Sequence, residues 1–216
     1  MGLRRYPGAT PFSSKQEKIF YGRDKDIDKL LTLIQVERKV LLYSKSGLGK
    51  TSLLEAGVIP KLPKKYIPIS IRFYANTEGA LSPVERVINA LEKATGGLDK
   101  LPETVLDSFP DEGNIKSTLW YWFKKLQLTG NDKGKSEVEE EKTYLLVFDQ
   151  FEELFSYSPR QIEDFKNQFY ELTEVKVPDR YAKLIAEGRR NDRSLFNRDA
   201  IGLLNKKVNV KTVFAI

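Results

Sequence analysis

Lys50 and Thr51 close the run Ser44-Lys45-Ser46-Gly47-Leu48-Gly49-Lys50-Thr51, which follows the apolar stretch Val40-Leu41-Leu42-Tyr43. These residue types at this spacing suit polyphosphate chemistry. Glycines let successive backbone N–H groups turn inward around phosphate oxygens, and a helix N-terminus adds partial positive charge. A lysine at position 50 reaches the β- and γ-phosphates, and a hydroxyl at position 51 sits on Mg²⁺. The usual spacing, G-x-x-x-x-G-K-[ST], has glycine where this chain has Ser44. The bland alternative is an exposed glycine-rich turn before an ordinary helix. Context favours the phosphate loop, because an apolar strand precedes it and the stripe Leu53, Leu54 and Val58 follows it.

Such a loop needs a carboxylate for the Mg²⁺ shell at the C-terminal end of a neighbouring strand, where open α/β sheets bind their ligands. Tyr144-Leu145-Leu146-Val147-Phe148-Asp149 supplies one. Its five consecutive apolar or aromatic residues read as a strand buried on both faces. An acid ending that run needs a cation or a hydrogen-bond partner, although it could also cap a following helix. Gln150 comes next, followed by Phe151-Glu152-Glu153-Leu154-Phe155. Glutamine orients water in some GTPases but is a poor base. Glu152, then Glu153, are the candidates for activating water. As first-turn acids they are equally explained by the helix dipole.

Three strings in this chain resemble the novel STAND NTPases (signal transduction ATPases with numerous domains). They are Phe20-Tyr21-Gly22-Arg23-Asp24, Ser46-Gly47-Leu48-Gly49-Lys50-Thr51-Ser52-Leu53-Leu54-Glu55-Ala56-Gly57-Val58-Ile59-Pro60, and Leu145 to Phe155 with its Asp149-Gln150-Phe151-Glu152-Glu153 centre. Tyr6-Pro7-Gly8 and Pro11-Phe12 also resemble that family's lead-in. The likeness covers most of residues 1–155. It implies an α/β fold, a P-loop NTPase three-layer sandwich on a parallel sheet. The strand order would be 5-1-4-3-2, with 1-4-3-2 in this chain and the fifth strand missing from it. It implies ATP or ADP with Mg²⁺ as ligands, phosphate contacts from Ser46 to Ser52, metal contacts from Thr51 and Asp149, and Tyr21-Gly22-Arg23 beside the adenine. The implied function is a slowly hydrolysing switch in signalling or antiphage defence, with ADP holding the resting state and ATP the active, often oligomeric one. An Arg-containing sensor motif, a helical lid, a winged helix and repeat-type sensor domains would lie beyond residue 216, which reads the chain as a fragment or truncated product.

Two other classes compete. A P-loop kinase would transfer phosphate to a small acceptor with Arg189, Arg190 and Arg193 as its lid cluster. A nucleotide-binding interaction module would not hydrolyse significantly, which fits Ser44 and Gln150. GTP is disfavoured, because Asn205-Lys206-Lys207-Val208 ends in valine where a guanine motif needs aspartate.

The 216 residues contain no Cys and no His, which excludes disulfides, thiol catalysis, zinc fingers and histidine acid–base chemistry. Metal binding must use oxygen, as Mg²⁺ does. No leader-like or membrane-spanning apolar run is present, so a cytoplasmic protein with no membrane partner is expected. The net charge is +6. Lys176 to Lys211 holds ten Lys/Arg against four Asp/Glu, an excess equal to the whole-chain figure. Without the aromatic interleaving of a stacking platform this segment reads as a solvated or domain-facing surface rather than a nucleic-acid platform.

The elements that must position these groups follow from periodicity. Residues 1–20 read as an extended arm and 21–216 as the NTPase core, with a basic helical insert over about 176–209. A helix from Asp24 carries Ile27, Leu30, Leu31 and Ile34. Strands are expected at 40–44, 66–74, 144–149 and 210–216, the last inserting between the first and third. Pro68 cannot donate to a ladder, which makes the second an edge strand. Ser82-Pro83-Val84-Glu85 reads as a capping box for a helix that Gly96-Gly97 ends. Further helices are expected over about 113–128 and from Ser158-Pro159, and Thr129–Thr143, with acids at Glu137, Glu139, Glu140 and Glu141, as a mobile loop. Trp120, Tyr121 and Trp122 are read as packing residues. With its fifth strand absent, the first strand is an exposed apolar edge, and self-association is expected.

Overall fold

The computed structural model describes residues 10–110, 113–131 and 141–216. Tyr6, Pro7, Gly8, Glu137, Glu139 and Glu140 lie outside the described residues. In chain order the elements are α1 (Asp24–Val36), β1 (Lys39–Leu42), α2 (Lys50–Ser52), β2 (Tyr66–Arg72), α3 (Pro83–Thr95) and α4 (Leu119–Asn131), then β3 (Thr143–Asp149), α5 (Pro159–Glu174), α6 (Asp179–Asn191), α7 (Arg198–Leu204) and β4 (Val210–Ala215). They form two compact units.

The first unit comprises Met1–Tyr74, Thr143–Glu153 and Lys211–Ile216. It holds a parallel four-stranded sheet in the order β1-β4-β3-β2, flanked by helices. The fold class is therefore α/β, as expected, with β4 inserted between β1 and β3. Every residue of β3 is buried, in keeping with its apolar run. β2 lies at an edge, where Pro68 costs no ladder bond. Ile27, Leu30 and Ile34 on α1 pack with Val40, Leu54, Leu145 and Val213 into one core, while Leu31 is only partly buried against it. Each such side chain contributes about 1.5–3 kcal/mol on burial. Phe73, Phe148, Phe151 and Phe214 form an aromatic cluster with ring centroids 4.7–5.8 Å apart.

Two local departures occur in this unit. Part of the arm is helical: Ser14–Ile19 forms a 3₁₀ turn, opened by the Gln16 Oε1 that accepts from the Ser13 N–H at 3.0 Å. The helix after the phosphate loop is not a plain α-helix. α2 passes into a π-helical segment, Leu53–Val58, where the Ile59 N–H bonds five residues back to Leu54. The wider turn buries five of its six residues, more than a simple stripe would.

The second unit comprises Ala75–Lys142 and Leu154–Val210. α3 starts at the expected capping box: Ser82 Oγ accepts from the Glu85 N–H at 3.3 Å, and Glu85 Oε2 accepts from the Ser82 N–H at 2.7 Å. Gly96 ends it in the left-handed conformation, φ 80°. α4 starts later than its periodicity implies. Extended Thr118 separates it from a 3₁₀ turn at Ile115–Ser117, and the Thr118 hydroxyl caps the Tyr121 N–H at 3.2 Å. Trp120 and Tyr121 are buried packing residues, as expected, and the Trp120 ring lies 4.3 Å from that of Tyr181. Tyr181, Phe196 and Leu204 anchor the basic segment of α6 and α7 in this core.

Lys124 is wholly buried, its ammonium donating to Gln127 Oε1 at 2.8 Å and to the Lys206 carbonyl. Burial pushes its pKa down to about 8, the Glu141 carboxylate opposing and the Lys206 charge adding to the drop. Between about pH 8 and the ordinary lysine value the unfolded chain binds the extra proton, so stability attributable to Lys124 rises with pH there. Urea denaturation of wild type and Lys124→Met across that range should show wild type gaining on the variant by at most about 1.4 kcal/mol per pH unit. A constant difference between them would contradict the assignment.

Candidate functional site

The phosphate loop takes its shape from two glycines. Gly47 (φ 81°) and Gly49 (φ 76°) occupy the left-handed region, which a side chain would strain. Ser44 has no positive φ, so a side chain at the first loop position costs no backbone strain. The β1–β4 ladder runs into the loop, with the Ile216 N–H donating to the Leu42 carbonyl at 3.1 Å. Lys50 folds back over the loop and donates to the Ser44 carbonyl at 2.8 Å and the Lys45 carbonyl at 3.4 Å.

From the C-terminal end of β3, Asp149 meets the loop. The Thr51 hydroxyl lies 3.0 and 3.1 Å from its two carboxylate oxygens, across 98 residues of sequence. One hydroxyl and one carboxylate make an incomplete oxygen cage. That donor set fits Mg²⁺, which keeps several waters and takes phosphate oxygens as its remaining ligands. A cavity of about 520 Å³ opens at this point, lined by Ser46, Gly47, Gly49, Lys50, Thr51 and Ser52 from the loop, by Asp149, Gln150 and Glu152, and by Arg72. Its size is that of an ordinary ligand pocket.

The sequence candidates do not all reach this cavity. Glu152 lines it, whereas Glu153 is not among its lining residues and instead donates its N–H to the Gln150 carbonyl at 3.0 Å. The Leu48 side chain is exposed, and its carbonyl accepts from Arg23 Nη1 at 3.2 Å. Arg23 is also paired with Asp26 at 2.5 Å, so it braces the loop from outside. Ser52 is buried, and its hydroxyl accepts from the Phe12 N–H at 3.1 Å, which brings Pro11 and Phe12 to the cavity lining.

Two features escaped the sequence reading. The first is Arg72 at the C-terminal end of β2. Its Nε donates to Gln150 Oε1 at 2.8 Å and stands 3.8 Å from Asp149 Oδ2. A charged residue inside the strand expected over 66–74 is the one signal that could have marked it. The second is the backbone conformation of Gln150, whose φ of 55° is rare for a residue with a side chain. No local pattern signals that conformation.

The second unit has its own cavity of about 550 Å³, with Glu103, Asp107 and Asp199 as its charged lining residues. Burial would raise the Asp107 pKa, but the Lys125 ammonium at 2.6 Å and the Thr104 N–H and hydroxyl outweigh it and hold the carboxyl below its ordinary value. With carboxylates as its only charged lining residues this cavity repels polyphosphate, so the loop cavity is the nucleotide candidate. Arg189, Arg190 and Arg193 are exposed residues of the second unit. No helix among the described residues is long and apolar enough to cross a membrane.

No curated protein and no solved structure matches the chain. The sequence profile of Novel STAND NTPase 1 matches residues 6–194. That match covers the phosphate loop, Arg72 and the Asp149 strand end together, and the chain belongs to the novel STAND NTPase 1 family.

Proposed function

We propose that this protein is the ATP-binding, slowly hydrolysing switch module of a STAND-type signalling or defence protein. The observation that carries the reading is the convergence of the Thr51 hydroxyl on the Asp149 carboxylate at 3.0 and 3.1 Å, beside Lys50 in one cavity. Thr51 and Asp149 would hold Mg²⁺, which neutralises phosphate charge when bound. The N–H groups of residues 46–51 cradle the phosphates, and Lys50 exchanges the Ser44 and Lys45 carbonyls for phosphate oxygens. Glu152, exposed at the cavity, is placed to orient water better than Glu153. Gln150 in place of an acid directly after Asp149 favours slow turnover.

Calorimetric titration with Mg²⁺-ATP and Mg²⁺-ADP tests the reading, Lys50→Ala serving as the site control. Saturable binding of both nucleotides is expected, and binding of neither overturns the proposal.

Self-association belongs to the same proposal. Among the described residues β1 pairs only with β4, and Leu41 beside that edge is 63% exposed, with Tyr43 at 76%. An unpaired parallel edge carrying apolar side chains is a template for a further strand. Sedimentation velocity should show mass rising with concentration, and Leu41→Lys should suppress the rise. A monodisperse monomer at high concentration contradicts this part.

A further inference from the structure

Arg72 is the one guanidinium among the described residues that line the phosphate cavity. The parallel register sets it directly beside Asp149. Paired residues in a parallel ladder send their side chains to the same face, so Arg72 and Asp149 emerge together at the C-terminal ends of adjacent strands. The Arg72 guanidinium rests 5.6 Å from the Tyr74 ring centroid, and its Nε is held by Gln150 Oε1. The left-handed backbone of Gln150 turns the chain at the end of β3. Among the described residues only the Nε of Arg72 is engaged in a hydrogen bond, so its two terminal amino groups remain for an anion. Those groups form a planar fork that matches two phosphate oxygens at once.

The position selects which phosphate. The loop N–H groups would serve the inner phosphates and Lys50 the β- and γ-phosphates, while Thr51 and Asp149 would hold the cation beside them. Arg72 Nε is 3.8 Å from that carboxylate. A guanidinium there would be in reach of a terminal phosphoryl group, beyond the end of a diphosphate.

We propose that Arg72 is a residue by which the site tells a nucleoside triphosphate from a diphosphate, its guanidinium passing from Gln150 to the γ-phosphate oxygens. The exchange frees the Gln150 amide inside the cavity that Glu152 also lines, so the identity of the bound nucleotide is written into the conformation at the end of β3. The inference rests on the nucleotide-site reading above.

The test is calorimetric binding of Mg²⁺-ADP and of the non-hydrolysable triphosphate Mg²⁺-AMPPNP to wild type, Arg72→Gln, Arg72→Lys and Gln150→Gly. Arg72→Gln should weaken the triphosphate by about 10- to 150-fold, the worth of a hydrogen bond to a charged group, and leave the diphosphate unchanged. Arg72→Lys keeps the charge without the fork and should recover only part of the loss. Gln150→Gly keeps the left-handed backbone and removes the competing acceptor, so it should tighten the triphosphate by about 2- to 12-fold. Retained ADP binding shows that each variant is folded. Equal losses for both nucleotides, or none for either, overturn the inference and leave the nucleotide site standing. A wild-type protein that binds neither nucleotide overturns both.

Discussion

Lys50→Ala is expected to weaken Mg²⁺-ATP binding by about 10- to 150-fold, the loss of one or more charge-assisted hydrogen bonds. The lower part of that range is favoured by the loop geometry. Lys50 is already satisfied by the Ser44 and Lys45 carbonyls, so binding exchanges contacts instead of creating them from nothing. Removing the side chain also removes a staple across the loop, and a looser loop presents its N–H groups with less preorganisation. The measurement is the calorimetric dissociation constant for ATP and ADP in wild type and variant. ATP should lose more than ADP, because the γ-phosphate is among the groups that lysine serves. Unchanged ATP affinity would remove Lys50 from the site and with it the proposed phosphate loop.

Gly57→Val should have the largest effect on stability. Gly57 lies in the π-helical segment, where a Cβ would come within 2.8 and 2.9 Å of the Ile27 side chain and 3.2 Å of the Phe20 ring. Ile27 is fully buried in the core and has nowhere to retreat. Overpacking of this kind costs about 1–3 kcal/mol, which at roughly 2–4 °C per kcal/mol lowers the melting temperature by about 2–12 °C. Gly57→Ala should cost less, since alanine recovers about 1 kcal/mol of helix propensity. Thermal unfolding of both variants checks this, and a valine variant as stable as wild type would contradict the close packing. The disturbance has a route to the cavity. Phe20 packs against Phe12 at 5.5 Å, and the Phe12 N–H donates to Ser52 at 3.1 Å.

The sequence string Ala56-Gly57-Val58-Ile59-Pro60 thus has a packing explanation that its resemblance did not supply. Glycine is there so that α1 and the segment after the phosphate loop can approach closely. Ser44 has a similar resolution: the first loop position needs no left-handed backbone, whereas Gly47 and Gly49 do.

What the sequence by itself determined is what depends on neighbours along the chain. The apolar run before Lys50 and Thr51, the five-residue run before Asp149, the Ser82 capping box and the proline that confines β2 to an edge are all local patterns. Each one fixes hydrogen bonding or burial within a few residues, and the parallel α/β sheet with its 1-4-3-2 order followed from them together with the family resemblance. Tertiary structure alone decided which distant residues meet. It put Arg72 beside Asp149 through strand register, chose Glu152 over Glu153 for the cavity lining, and turned Arg23 to brace the loop from outside. It also widened the helix at Leu53–Val58 and parted the chain into two units. Register and close packing depend on side chains many tens of residues apart, and no periodicity along one segment encodes them.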